Sequence, residues 1–519
     1  MNAITRRQLL ITAGAATTLA ACGSPSSNPT GSASAGDSAT SVPTGGDTIV
    51  AQPEVRQAAA GVLSTTLNCK SGSTDVGTSR LATMTYEGTL PGPTLRLSPG
   101  DSLRLQLVNN LTPATSGPGS GMGNGQGNGM GGMAGMDAGS ATTNLHTHGL
   151  HVSPAGNSDN VFLEVGEGQT QDYVIDIPAD HPGGLNWYHP HHHGTVSPQV
   201  LGGMSGALVI TGPLDEVPEV AAAQAQILVL QRIQPNATMV ARMASMHDNA
   251  FLSGNGNPVF AVNGLVRPKV TMRPGQLQRW RIVMADPIDY FDLALVDAAG
   301  SPVPGAMHIL AWDGLTLPAV RTVSNHLVVP GNRLDMLVQA PNQAGPLRLM
   351  GRAVPGFGQP DIEFLQVEVA GDPVQMTVPG ALPTQLTPIS DGEVTIRQRV
   401  TFGSWGNAMT VNGVNFSDGP NEMTLRVGTA EEWTVENLSD QAHAFHIHTN
   451  PYYVVAVNGE ALAEPLFHDT YPIPAATGPN SPGSITVRFR PTEFTGRMVQ
   501  HCHILPHEDA GMMGVVTLV

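Results

Sequence analysis

One pattern occurs three times along the 519-residue chain, and it restricts the possible folds more than any other feature. Apolar residues alternate, a glycine turns the chain, and alternation resumes in Leu95–Val108 (LRLSPGDSLRLQLV), Val270–Val283 (VTMRPGQLQRWRIV) and Leu425–Glu436 (LRVGTAEEWTVE). A period of two puts every second side chain on one face, so each copy predicts two half-buried strands joined by a turn. The turn glycines Gly100, Gly275 and Gly428 are 175 and 153 residues apart, the size of a β-sandwich rather than of a solenoid repeat. The chain is therefore expected to be all-β, with three sandwiches in tandem over 49–213, 214–373 and 374–519. The boundaries fall at the Gly/Pro-containing connections TGPLDEVPE and AGDPVQMTVPG.

Composition supports short strands and tight turns over long helices: 60 Gly and 42 Pro make up about a fifth of the chain. The net charge of −17 and the lack of a dense basic run beyond the first ten residues exclude a surface for nucleic acid. Beyond the N-terminus no apolar run approaches the roughly 20 residues of a membrane-spanning helix, so any membrane contact would come through an anchor.

Histidine carries the chemistry. Eighteen histidines placed at random would give about 0.6 His-x-His pairs, a count that tests whether such a pattern is accidental. The sequence has five, in NLHTHGLHV (His146, His148), NWYHPHHHG (His189, His191, with His193 overlapping), AFHIHTN (His446, His448) and QHCHILPHEDAGMM (His501, His503). Residues i and i+2 of a strand share a face, so four pairs can offer eight imidazoles to one cluster, more than one four-coordinate ion uses. The pairs lie in the first and last thirds, so those thirds must meet. Cys502, between two of these histidines, points to the opposite face and serves a separate metal. With His443 upstream, His507 and Met512 it completes a two-His, one-Cys site with a weak axial Met, the donor set of copper electron-transfer centres.

The combination resembles the multicopper oxidases, the family of three-domain bacterial laccases and cuprous oxidases, and the resemblance covers nearly all of the mature chain. It rests on LHTHGLHV, WYHPHHHG, HAFHIH and HCHILPHEDAGMM, which stand in the family's order and spacing. It implies three cupredoxin-like Greek-key domains, four copper ions and dioxygen as co-substrate, reduced to water by electrons taken singly from a reductant. By position, His443, Cys502, His507 and Met512 match the type 1 ligands, and His146 and His446 the type 2 ligands. His148, His189 and His503 match one type 3 copper, and His191, His448 and His501 the other. Electrons would enter at the type 1 site across an exposed edge of His443 or His507, and pass from Cys502 along His501 and His503. Asp159 and Glu508 resemble the family's proton-delivering acids. The middle domain holds no ligand pair, as the family implies.

Other histidines are read as structural: His151, His247, His308, His326 and His468, with His192 and His193 explained by their turn. Cys69 is read as a small buried thiol. Met122, Met130, Met133 and Met136 punctuate the Gly-rich 121–139 segment and offer soft thioether ligands for Cu(I), or are incidental to a low-complexity insertion. Met239, Met243 and Met246 have helical spacing and read as a packed apolar face.

Residues 1–22 read as an export signal. Arg6 and Arg7 in TRRQLL resemble a Tat signal, and LAAC ending in Cys22 resembles a lipobox, so the protein is expected outside the cytoplasmic membrane as a lipoprotein. Residues 23–48 form a flexible spacer. Two reductants compete, Cu(I) in copper detoxification and phenols or aromatic amines in a laccase. A non-catalytic copper-binding or envelope structural protein is the alternative of another class. The sequence sets no oligomeric state.

Overall fold

The computed structural model describes residues 48–77, 79–112, 141–234, 258–357, 359–405, 408–419 and 421–519. The signal-like segment, nearly all of its spacer and both methionine-containing segments lie outside them. No helix among the described residues is long and apolar enough to cross a membrane.

Each repeated pattern forms two strands: Thr94–Leu97 with Ser102–Asn110, Lys269–Met272 with Leu277–Met284, and Glu422–Leu425 with Ala430–Asn437. The glycines between them sit at φ +87°, +76° and +79°, in the left-handed region where a Cβ would be strained. The two strands of each pattern join different sheets, so the motif is a corner between layers and not a hairpin. Six sheets result. Five- and four-stranded sheets contain the strands between Val55 and Ile210, while six- and five-stranded sheets contain those from Gln224 to Val369 and again those from Val394 to Leu518. The inward halves of the patterns (Leu103, Leu105 and Leu107; Trp280 and Ile282; Trp433 and Val435) are buried in three separate cores. Cys69 is a buried free thiol in the first.

The residues before Val55 behave differently from the sequence expectation, which joined them to the first sandwich. Val50 N–H donates to the Lys269 carbonyl at 2.9 Å, Lys269 N–H donates to the Thr48 carbonyl at 2.7 Å, and Val50 is buried in the middle core. Lys269–Met272 is the edge strand of its sheet, and an edge with unpaired backbone groups captures a passing segment.

The three sandwiches pack closely. Leu185, Trp187, Ala207 and Val209 bury against Ile227, Val229, Val283 and Ala285, while Tyr290 and Val329 of the middle sandwich enter the third core. The first and third are joined by two short helices, Val196–Leu201 and Leu505–Asp509, through Val196, Val200 and Leu505. Asp509 strengthens that join. Its carboxylate accepts from the backbone N–H of Gly194 (2.7 Å), Val196 (3.3 Å) and Ser197 (2.7 Å), at the N-terminus of the first helix, where orphan donors and the helix dipole favour an anion.

Candidate metal centre

Strand register explains how the histidines meet. His146 lies opposite His189, His446 opposite His501, and Phe445 opposite Cys502, in antiparallel pairs. Because side chains alternate, Cys502 and Phe445 face the third core while the flanking imidazoles face the other way. His191, His448 and His503 come just past the ends of their strands.

On the core side three donor atoms form a triangle. Cys502 Sγ is 3.5 Å from His443 Nδ1 and 3.7 Å from His507 Nδ1, and the two nitrogens are 3.2 Å apart. A point at its centre lies about 2 Å from each, the length of a metal–imidazole bond. Met512 is fully buried in the same cluster, and its carbonyl accepts the Cys502 N–H at 3.1 Å. His443 and His507 are 0% and 3% exposed, so neither presents the open edge expected from the sequence. Ser439 Oγ lies 2.9 Å from His443 Nε2 and covers it.

On the opposite side His146, His148, His189, His191, His446, His448, His501 and His503 gather into one buried cage. The Nε2 atoms of His191, His448 and His501 stand 3.1 to 3.4 Å apart, and His503 Nε2 is 3.1 Å from His148 Nδ1. Several outward nitrogens are satisfied: the Nδ1 atoms of His189, His446 and His501 reach the carbonyls of Pro190, Asp469 and Cys502 at 2.9, 2.7 and 3.1 Å. An Nδ1–H donated outward leaves Nε2 as a bare acceptor turned inward. The Nε2 atoms of His146, His189 and His446 accordingly have no hydrogen-bond partner. Each orphaned buried acceptor costs on the order of 1–3 kcal/mol, and a shared cation removes that cost, so the donor set fits metal.

Electrostatics agree. Burial, the largest cause in each case, lowers His146, His148, His446, His448 and His503 well below the usual imidazole range, and brings His189 to about 3 and His191 to about 4. These rings are neutral ligands at neutral pH. Asp159 is buried, with Oδ2 3.0 Å from His146 Nδ1 and Oδ1 accepting the Thr147 N–H at 2.7 Å; burial pushes its carboxyl up to about 7. Glu508 is fully buried, with Oε2 3.1 Å from His501 Nδ1 and Oε1 3.5 Å from His191 Nδ1. Burial raises its carboxyl, but His191 and His501 more than offset this and hold it low.

Two multicopper oxidase family models match the chain, one over residues 389–518 and the other over 137–215, the stretches that carry these donors. Over both donor-bearing stretches the chain is thus similar to the multicopper oxidases. It is 23% identical to a Staphylococcus haemolyticus multicopper oxidase, with 87% of each chain covered, and 26% identical to a Haloferax volcanii laccase, covering 82% of this chain and 76% of the laccase. Its fold matches a solved multicopper oxidase of Campylobacter jejuni with a TM-score of 0.69 at 20% identity, over 92% of this chain and 98% of the other. These similarities, together with the donor set, indicate a copper oxidoreductase that uses dioxygen.

Other groups at this oxidase's cage were not singled out in the sequence. Asn144 Oδ1 accepts the His191 N–H at 2.6 Å, and Asp469 and Thr470 lie against His148 and His446. The histidines read as structural stand apart from the cage. His192 pairs with Thr195 (3.3 Å), His193 with Ser417 (3.3 Å), His468 with Asp313 (3.1 Å) and His308 with Thr322 (2.8 Å). His151 binds the Thr449 carbonyl at 2.8 Å, and His326 meets Trp312 edge-on. His247 lies outside the described residues.

The middle sandwich also touches the cage. Gly331, at φ +90°, packs so closely on His503 that a Cβ there would lie 3.0 Å from three ring atoms. Gly331→Ala is expected to destabilise the protein by about 1–3 kcal/mol through backbone strain and crowding. It is also expected to weaken copper retention by displacing the His503 ring. Denaturant unfolding of the apo-protein and copper content after dialysis against a chelator measure the two effects.

Proposed function

We propose that the chain holds four copper ions and oxidises Cu(I) outside the cytoplasmic membrane, reducing dioxygen to water. The observation that carries this reading is the S/N/N triangle joined to the imidazole cage through the single tripeptide His501-Cys502-His503. Bound copper supplies one-electron chemistry at the triangle and multi-electron reduction of dioxygen at the cage. Within this reading His443, Cys502, His507 and Met512 hold the type 1 ion, His146 and His446 the type 2 ion, and the remaining six imidazoles the type 3 pair.

The protein's own residues orient, connect and supply protons. An electron received at Cys502 Sγ has a covalent route to His501 and His503. Apolar burial around Cys502 excludes water from that route. Asp159 Oδ2 holds the outer nitrogen of His146, and Glu508 sits between His191 and His501. Asp159 is a buried carboxyl within reach of the cage that can pass a proton inward, which oxygen reduction consumes, and the Glu508 carboxylate can accept a proton and relay it. A narrow cleft lined by Gly149, His151, Asn186, Asp313, Asn450 and Asp469 lies beside the cage at the three-domain junction and supports a path for water.

For the reductant, the methionine-rich 121–139 segment, which lies outside the described residues, and the covered edge of His443 both favour Cu(I). The reductant then need not stack on the imidazole. The Campylobacter jejuni protein is described as a metallo-oxidase, in keeping with this reading. A laccase acting on phenols is the second reading, favoured by the Haloferax volcanii relative. Steady-state rates with Cu(I), Fe(II) and a phenol, with and without residues 121–139, separate the two. The expected result is a selective loss of Cu(I) turnover on deletion; unchanged Cu(I) turnover removes the segment from the reaction. Four coppers per chain with no oxygen consumption would leave a storage protein, and a copper-free chain a structural one. Export through the twin-arginine signal and tethering at Cys22 complete the proposal, and Cys22→Ser is expected to move the protein from the membrane fraction into the soluble one.

A further inference from the structure

Among the described residues the middle sandwich supplies no imidazole to the cage, yet a charged side chain of it grips a residue that faces the cage. Arg333, at the start of the strand Arg333–Gln339, is fully buried. Its Nη1 lies 2.7 Å from Asp469 Oδ1 and its Nη2 2.6 Å from Oδ2, so the guanidinium fork holds both oxygens. Nη2 also donates to the Asp313 carbonyl at 2.8 Å, which fixes the fork in place. Asn332 beside it donates to Asp313 Oδ1 (2.9 Å) and to the Thr470 carbonyl (3.0 Å), tying the middle sandwich to the third at this point. No slack remains, because a Cβ on Gly149 would lie 2.2 Å from Nη2.

Asp469 faces His148. Its Oδ1 is 3.3 Å from His148 Nε2, and Thr470 Oγ1 is 3.4 Å from the same nitrogen. His148 is the odd ring of the cage. His191, His448, His501 and His503 turn Nε2 toward their neighbours, whereas His148 turns Nδ1 toward His503 and Nε2 outward to Asp469. An imidazole can offer Nδ1 to a metal only if its proton resides on Nε2, and a carboxylate accepting that proton selects this tautomer.

We propose that Arg333 is a positioning residue that, by clamping Asp469 against Nε2, holds His148 in the tautomer that presents Nδ1 to the cage. The middle domain thereby governs a copper ligand that it does not supply. This rests on the copper reading above; wild-type protein that binds no copper would defeat that reading before any variant is compared.

The tautomer can be read without metal, from imidazole ¹⁵N spectra of histidine-labelled apo-protein with His148→Asn to identify the signal. Wild type is expected to carry the His148 proton on Nε2, and Arg333→Met to show mixed tautomers. In copper-loaded protein, Arg333→Met is expected to weaken retention at the cage by about 10–100-fold against a chelator. The blue absorption of the Cys502 site reports that the third sandwich is folded. Because Arg333 acts through Asp469, Arg333→Met combined with Asp469→Asn is expected to lose no more than Asp469→Asn alone. An unchanged Nε2–H tautomer in Arg333→Met, or strictly additive losses in the double variant, overturns the proposal. Should Arg333→Met fail to fold, Arg333→Lys keeps the charge without the fork and is expected to retain copper less well than wild type; wild-type retention there also overturns it.

Discussion

Cys502→Ser is expected to remove the visible blue absorption and the oxidase activity of the copper-loaded protein together, and to lower the copper content by one ion per chain. The colour of such sites is thiolate-to-copper charge transfer, and Cys502 is the thiolate in the triangle with His443 and His507. The free thiol is buried, and burial pushes it up to about 12, so without metal it remains protonated and inert. Loading must therefore displace a proton, and colour should appear with release of one proton from this residue. Serine is nearly isosteric in a site whose other walls are intact, so the fold and cage should persist. Absorption spectra, metal analysis and oxygen uptake on the same sample test the claim. A serine variant that stays blue would place the thiolate elsewhere.

Metal removal is expected to make the protein acid-labile, and this is the larger effect on stability. Seven cage histidines (His146, His148, His189, His191, His446, His448 and His503) have folded-state pKa values below the ordinary 6.5. Below pH 6.5 the unfolded chain binds protons that the folded one refuses, so stability is full above that pH and falls as pH drops. Each of these groups therefore withdraws stability as the pH falls through 6.5. Asp159 acts in the opposite sense. Its raised pKa means that the folded state takes up the proton first, and the raised carboxyls of Asp286 and Asp469 do the same, so part of the loss is offset. Apo-protein should therefore lose stability as the pH falls below 6.5, while copper, by occupying the lone pairs, should protect the holo-protein through the same range. Circular dichroism against pH for both forms measures this, and coincident transitions would contradict the buried-imidazole account.

The legible part of the molecule was whatever repeats locally. Alternation around Gly100, Gly275 and Gly428 translates into strands because burial of one face depends only on neighbours two residues away. The His-x-His pairs are visible for the same reason, as strand periodicity turns spacing into a shared face. What stayed hidden consists of single residues whose partners are far off in sequence: Asp469 reaches His148 across 321 residues, Arg333 reaches Asp469 across 136, and Asp509 reaches Gly194 across 315. One clue was available, since Arg333 and Asp335 interrupt an otherwise apolar run, and a charge on a buried strand needs a partner. The covered edge of His443 was not foreseeable, because Ser439 becomes its neighbour only after the chain turns back on itself.

No proposed copper donor lies between residues 192 and 442, so the two halves of the cage are made at opposite ends of synthesis. A copy broken off before His443 carries His146, His148, His189 and His191 but lacks Cys502. Its imidazoles can take an ion, but the relay that would feed that ion electrons arrives only with the last stretch of chain to be made.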